Sequence, residues 1–110
     1  MQGTILPLIL SSLILMQSAS VAQEAGDIAA GGAFAREACA SCHATQPKVT
    51  TSPNPKAPPF QQVADTSGMT ATALTVWLQT SHPAMPNVQL TPVEKRDVIA
   101  YILSLRTNRE

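Results

Sequence analysis

The segment Cys39-Ala40-Ser41-Cys42-His43 holds both cysteines of a 110-residue chain and one of its two histidines. Thiols at this spacing stand about one turn apart and can add across the two vinyl groups of a single haem, while the adjoining imidazole reaches the iron. Two other uses of a C-x-x-C pair fit less well. A redox disulfide of the thioredoxin kind belongs in a strand-helix-strand context, and nothing here alternates strands with helices. A structural zinc ion needs four ligands, and beyond Cys39, Cys42 and His43 only His82 remains among the thiol and imidazole donors. One covalent haem c is therefore the expected cofactor, attached through Cys39 and Cys42, with His43 as an axial iron ligand.

The second axial position has three candidates after the motif: Met69, His82 and Met85. Met85 lies in Ser81-His82-Pro83-Ala84-Met85-Pro86-Asn87, a loop held by two prolines between helical patterns, where a thioether can be pre-positioned. A methionine is more commonly a core filler, which is the reading for Met69 after Ser67-Gly68. Ligation by His82 would give a bis-histidine centre of lower potential. Only three residues separate it from Met85, so the two cannot easily share the position, and His82 is expected to cap a hydrogen bond or lie near the surface.

Helical patterns surround these motifs. Asp27 is a plausible N-cap for DIAAGGAFAREACASCH, whose Ile28, Phe34 or Ala35, and Ala38 form a loosely apolar face. Residues 44–59, ATQPKVTTSPNPKAPP, carry five prolines and no apolar period, so they read as a loop. That density suits a rigid wall around a cofactor, with a flexible linker as the alternative. Thr70 caps TATALTVWLQTS, in which Leu74, Trp77 and Leu78 make a stripe expected to be core. Thr91-Pro92-Val93-Glu94 combines a threonine N-cap, proline at the first helical position and glutamate at N3. Beyond it Val98, Tyr101, Ile102 and Leu105 share a face, and Arg106 is expected in the last turn, where the helix dipole favours a cation. No strand pattern of convincing length and no internal repeat is present.

At the other end no Asp, Glu, Lys or Arg precedes Glu24. Ile5 to Met16 reads ILPLILSSLILM, the length of a signal-peptide hydrophobic region and shorter than a bilayer span. Ser20-Val21-Ala22 then places small residues before a cut at Gln23. Residues 1–22 are expected to be a cleaved secretory signal peptide and 23–110 the mature domain, although a basic residue near the start is missing and a retained membrane anchor is the alternative. A mature chain this small needs a staple, and the cofactor supplies one. Seven Lys+Arg against seven Asp+Glu leave no net charge and no electrostatic footprint for nucleic acid.

On the ordered set CASCH, Pro58-Pro59-Phe60, Met85-Pro86 and the final capped helix, the chain resembles the small class I c-type cytochromes of bacteria from about Gly26 to Leu105. The resemblance implies an all-α cytochrome c fold, with N- and C-terminal helices crossing and short helices and loops wrapped around one haem. It implies that Gly31, eight residues before Cys39, lets the two terminal helices approach, with Phe34 or Ala35 and Tyr101 beside the crossing. It further implies that the Pro58 carbonyl accepts the second imidazole N–H of His43, that Phe60 packs on the haem, and that Met85 is the axial thioether. Trp77 could direct its indole N–H to a haem propionate, as in some relatives, or simply pack.

With both axial positions filled, no open site for substrate is expected at the iron, and the available reaction is one-electron transfer. The expected function is electron carriage between periplasmic or membrane redox partners, by a monomer that docks transiently and touches a membrane only if its leader is kept. A haem enzyme or gas sensor with an open sixth position, and an anchored subunit of a larger oxidoreductase, are the competing readings. Lys48, Lys56, Lys95 and Arg96 form no evident basic ring, so docking should depend only modestly on salt.

Overall fold

The computed structural model describes Gly3 and residues 25–107. Apart from Gly3, the leader expected over residues 1–22 lies outside the described residues. Four helices follow in order, α1 (Ile28–Ala38), α2 (Phe60–Asp65), α3 (Ala71–Gln79) and α4 (Pro92–Ser104), and the described residues contain no strand. No described helix is long and apolar enough to cross a membrane.

Each of the three longer helices starts where its cap predicts. The Asp27 carboxylate accepts the Ala30 N–H at 2.9 Å, and Thr70 Oγ1 accepts that of Ala73 at 3.1 Å. In α4 the capping box is complete: Thr91 Oγ1 accepts the Glu94 N–H at 3.2 Å, and Glu94 Oε2 accepts the Thr91 N–H at 2.8 Å. Two orphan donors at one helix start are thus satisfied reciprocally.

The helix α4 is the element on which the others are assembled, because α1, α2 and α3 each pack against it. Its buried Val98, Ile99, Tyr101 and Ile102, with Leu105 at its C-cap, join Ala35, Phe60, Ala64 and Leu74 in one core. Each fully buried large apolar side chain of this kind is worth about 1.5–3 kcal/mol. The α1–α4 crossing is very close. A Cβ at Gly31 would lie 1.9 Å from the Asp97 carbonyl oxygen, and one at Gly26 would lie 2.1 Å from that of Arg96. Asp27 fastens the crossing by donating its own N–H to Asp97 Oδ1 at 2.8 Å. Tyr101 stands at the junction, its ring 3.0 Å from where a Gly32 Cβ would be.

Four details depart from the sequence reading. The inward face of α1 is Gly31, Gly32 and Ala35, whereas Ile28 is 52% exposed. The backbones approach so nearly that glycine lines the contact, and hydrophobic periodicity does not register glycine. Trp77 is 57% exposed and is not core; of its stripe Leu74 is buried and Leu78 half-buried. Arg106 lies beyond the end of α4, and its guanidinium donates instead to the carbonyls of Ala64 at 3.0 Å and Met69 at 2.5 Å. It thereby satisfies carbonyls at and beyond the end of α2. That helix itself was hidden inside the segment after the proline loop, since six residues give too little periodicity to read.

Candidate functional site

The end of α1 leads directly into the cysteine motif. The Cys39 N–H still bonds the Ala35 carbonyl at 2.9 Å, and the Cys42 and His43 N–H groups both return to the Cys39 carbonyl, at 3.2 and 2.9 Å. This tight turn keeps the two thiols and the imidazole on one compact unit. Both cysteines are free thiols and half-buried, with Cys39 packed against the core. Burial pushes the Cys39 thiol up from its ordinary pKa, so it is held as the neutral S–H.

His43 is oriented by the proline-rich loop. Its Nδ1 lies 2.7 Å from the Pro58 carbonyl oxygen. A carbonyl oxygen only accepts, so Nδ1 carries the proton and Nε2 keeps its lone pair for a metal. Phe60 flanks the imidazole at 5.2 Å between ring centroids, tilted by 46°. The loop behind them is tied down as a wall. Ala44 donates its N–H to Ser52 Oγ at 3.0 Å, Asn54 donates to the Cys42 carbonyl at 3.0 Å, and Phe60 donates to the Ala44 carbonyl at 2.9 Å. Tyr101 Oη donates to the buried Thr45 carbonyl at 2.5 Å, joining this wall to α4. Burial raises the Tyr101 pKa, which keeps that hydroxyl a donor.

Gln61 is a further support that no local pattern announced. Buried in α2, it accepts the Lys48 N–H at 2.9 Å and donates to the Leu105 carbonyl at 2.6 Å and to Asp65 at 2.9 Å. Lys48 adopts a positive φ of 63° where the loop turns to meet it. Two of these partners, Lys48 and Leu105, lie on distant segments, so only the assembled chain exposes the hub.

Trp77, His82 and Met85 form a second group. The His82 ring stacks on the Trp77 indole at 3.8 Å and 18°, and its Nε2 lies 2.7 Å from the Trp77 carbonyl oxygen. Met85 is half-buried and donates its backbone N–H to the His82 carbonyl at 3.3 Å. A cavity of about 150 Å³ opens among Trp77, His82, Met85 and Leu90. Met69, half-buried against the core, contributes its carbonyl to Arg106 and is accounted for by packing.

Cys39, Cys42, His43, Pro58 and Phe60 thus come together, and Trp77, His82 and Met85 form a group of their own. No hydrogen bond or ring contact joins the two groups among the described residues. The donor set fits a c-type haem: two unpaired thiols for thioethers and an imidazole whose outer nitrogen is already satisfied. The zinc alternative fares worse, since no three His, Cys, Asp or Glu side chains cluster as ligands among the described residues.

The sequence profile for cytochrome c matches residues 28–106. The chain is also similar to cytochrome c-552 of Bradyrhizobium diazoefficiens, with 32% identity over 94 residues covering 86% of this chain and 89% of the relative. No solved structure gives a significant match.

Proposed function

The chain belongs to the cytochrome c family, whose members carry covalent haem c in electron transfer, and from this premise we propose an exported one-electron carrier with His43 and Met85 as axial iron ligands. When bound, the haem supplies a ferric/ferrous couple that exchanges one electron. Everything else is the work of the chain.

Cys39 and Cys42 anchor the cofactor on the turn after α1. The observation that carries the reading is the 2.7 Å contact from His43 Nδ1 to the Pro58 carbonyl. It holds the proton at Nδ1, fixes the ring and leaves Nε2 available, the arrangement typical of a metal-ligating histidine. Phe60 flanks the imidazole with its ring tilted toward it. Met85 offers the thioether, whereas His82 has its Nε2 committed to the Trp77 carbonyl, which supports sulfur over a second imidazole. Exposed Trp77 remains available to a propionate through its indole N–H. Filling both axial positions from the protein leaves no substrate site at the metal, and a non-enzymatic role follows.

Export to the periplasm is supported by the leader pattern of residues 1–22 and by the family. Partners are other redox proteins that dock transiently, and zero net charge favours docking with modest salt dependence. Visible spectra of the oxidised and reduced holoprotein, with a pyridine haemochrome assay, test the reading. A sulfur-to-iron charge-transfer band that disappears in Met85→Ala, with the haem still attached, is the expected result. Survival of the band would remove Met85 as the ligand, and rapid carbon monoxide binding by the reduced native protein would count against a closed centre.

A further inference from the structure

We propose that His82 is a positioning residue that clamps the Met85 segment to the end of α3; this rests on the reading of Met85 as the axial thioether. The helix stops at Gln79, and Thr80 turns the backbone to an extended conformation with φ −105° and ψ 138°. From there the chain would be free to swing, yet beyond the Thr80 N–H bond to the Trp77 carbonyl at 3.2 Å it is fastened back by two side chains. Thr80 Oγ1 donates to the Val76 carbonyl at 2.6 Å, and His82 Nε2 meets the Trp77 carbonyl at 2.7 Å. Because that oxygen can only accept, His82 carries its proton on Nε2 and acts as donor.

The imidazole also lies flat on the Trp77 ring, at 3.8 Å and 18°, so its direction as well as its position is set by α3. The histidine backbone then passes this constraint on. Its carbonyl accepts the Met85 N–H at 3.3 Å, and residues 82 and 85 form an isolated antiparallel bridge. Pro83 within that turn and Pro86 just after it restrict φ on either side of the methionine. Helix, imidazole, turn and thioether-bearing residue are therefore linked in series. The ordinary alternative is that His82 only caps α3, in which case its loss would loosen the helix without acting selectively on Met85.

Imidazole titration of the ferric holoprotein at fixed pH separates these cases, with the sulfur-to-iron band as readout. His82→Ala should keep the band but let imidazole displace the native ligand at a concentration about tenfold lower, the size expected for losing about one net hydrogen bond and a ring contact. His82→Gln, which retains a donor, and His82→Phe, which retains a ring, should fall between. Leu74→Ala is the control, because Leu74 is a buried core residue of α3 that does not line the cavity beside Met85. Hydrogen exchange at the Met85 amide should quicken in His82→Ala and not in Leu74→Ala. Unchanged displacement in His82→Ala, or an equal shift in Leu74→Ala, would overturn the clamp. Absence of the band from the wild-type protein would instead overturn Met85 ligation, and the positioning role with it.

Discussion

Tyr101 Oη donates a hydrogen bond to the Thr45 carbonyl across 56 positions of sequence, tying α4 to the wall that follows His43. Both groups are buried, so neither can exchange its partner for water. Tyr101→Phe keeps the ring against Gly32 but leaves the Thr45 carbonyl without its donor. A loss of about 1–2 kcal/mol is expected in guanidinium unfolding of the holoprotein. An unchanged midpoint would mean that the carbonyl finds another donor.

The α1–α4 crossing makes an opposite demand. Alanine at Gly31 would gain about 1 kcal/mol in helix propensity, but its Cβ would sit 1.9 Å from a backbone oxygen that cannot rotate away. Separation of the helices should dominate, with a net destabilisation of about 3 kcal/mol. Gly68 provides the contrast, since no atom lies within 4 Å of its Cβ position but its φ is +75°. Gly68→Ala should cost about 1 kcal/mol through backbone conformation alone. Thermal unfolding of the two variants measures the difference.

Pro58 acts through its backbone oxygen, which substitution does not delete. Pro58→Gly should therefore retain attachment and the His43 contact, but lose about 1 kcal/mol by enlarging the freedom of the unfolded loop. With the carbonyl less firmly held, its bond to Nδ1–H weakens on average and the imidazole donates less strongly to iron, so the reduction potential should rise. Equilibrium redox titration of this variant beside the wild type checks the direction.

The Asp65 carboxyl is held below its ordinary pKa, first by the Thr107 backbone N–H and then by Gln61. A depressed folded-state pKa contributes stability that is present above the unfolded value and lost as pH falls through the folded one. Asp65→Asn should accordingly be less stable than wild type near neutrality, and the gap should close on acidification below the usual carboxylate range. Unfolding midpoints across that range provide the test, and a gap independent of pH would contradict it.

Local chemistry explains which features were readable in advance. The CASCH turn, the Thr91 box and the Asp27 and Thr70 caps each occupy a few consecutive residues, so spacing alone carries them. Pro58, Gly31 and Tyr101 are legible only through the family resemblance; the Pro58 carbonyl lies 2.7 Å from His43 Nδ1, and Gly31 and Tyr101 stand at the α1–α4 crossing. What stayed hidden depends on chain segments meeting. Gln61 joins α2 to two of them, Arg106 reaches back to α2, and Trp77 turns outward to hold His82. An apolar stripe in sequence cannot distinguish a core tryptophan from one that supports a loop.

The dependence of α1, α2 and α3 on α4 also bears on the order of events during synthesis. Of the four described helices, the one on which the other three pack is the last to be synthesised, so until then the earlier helices have no completed surface to settle on. Cys39 is packed against the core that α4 completes, and Cys42 is half-buried beside it in the folded chain. The surface against which Cys39 packs is therefore complete only once the last helix is in place.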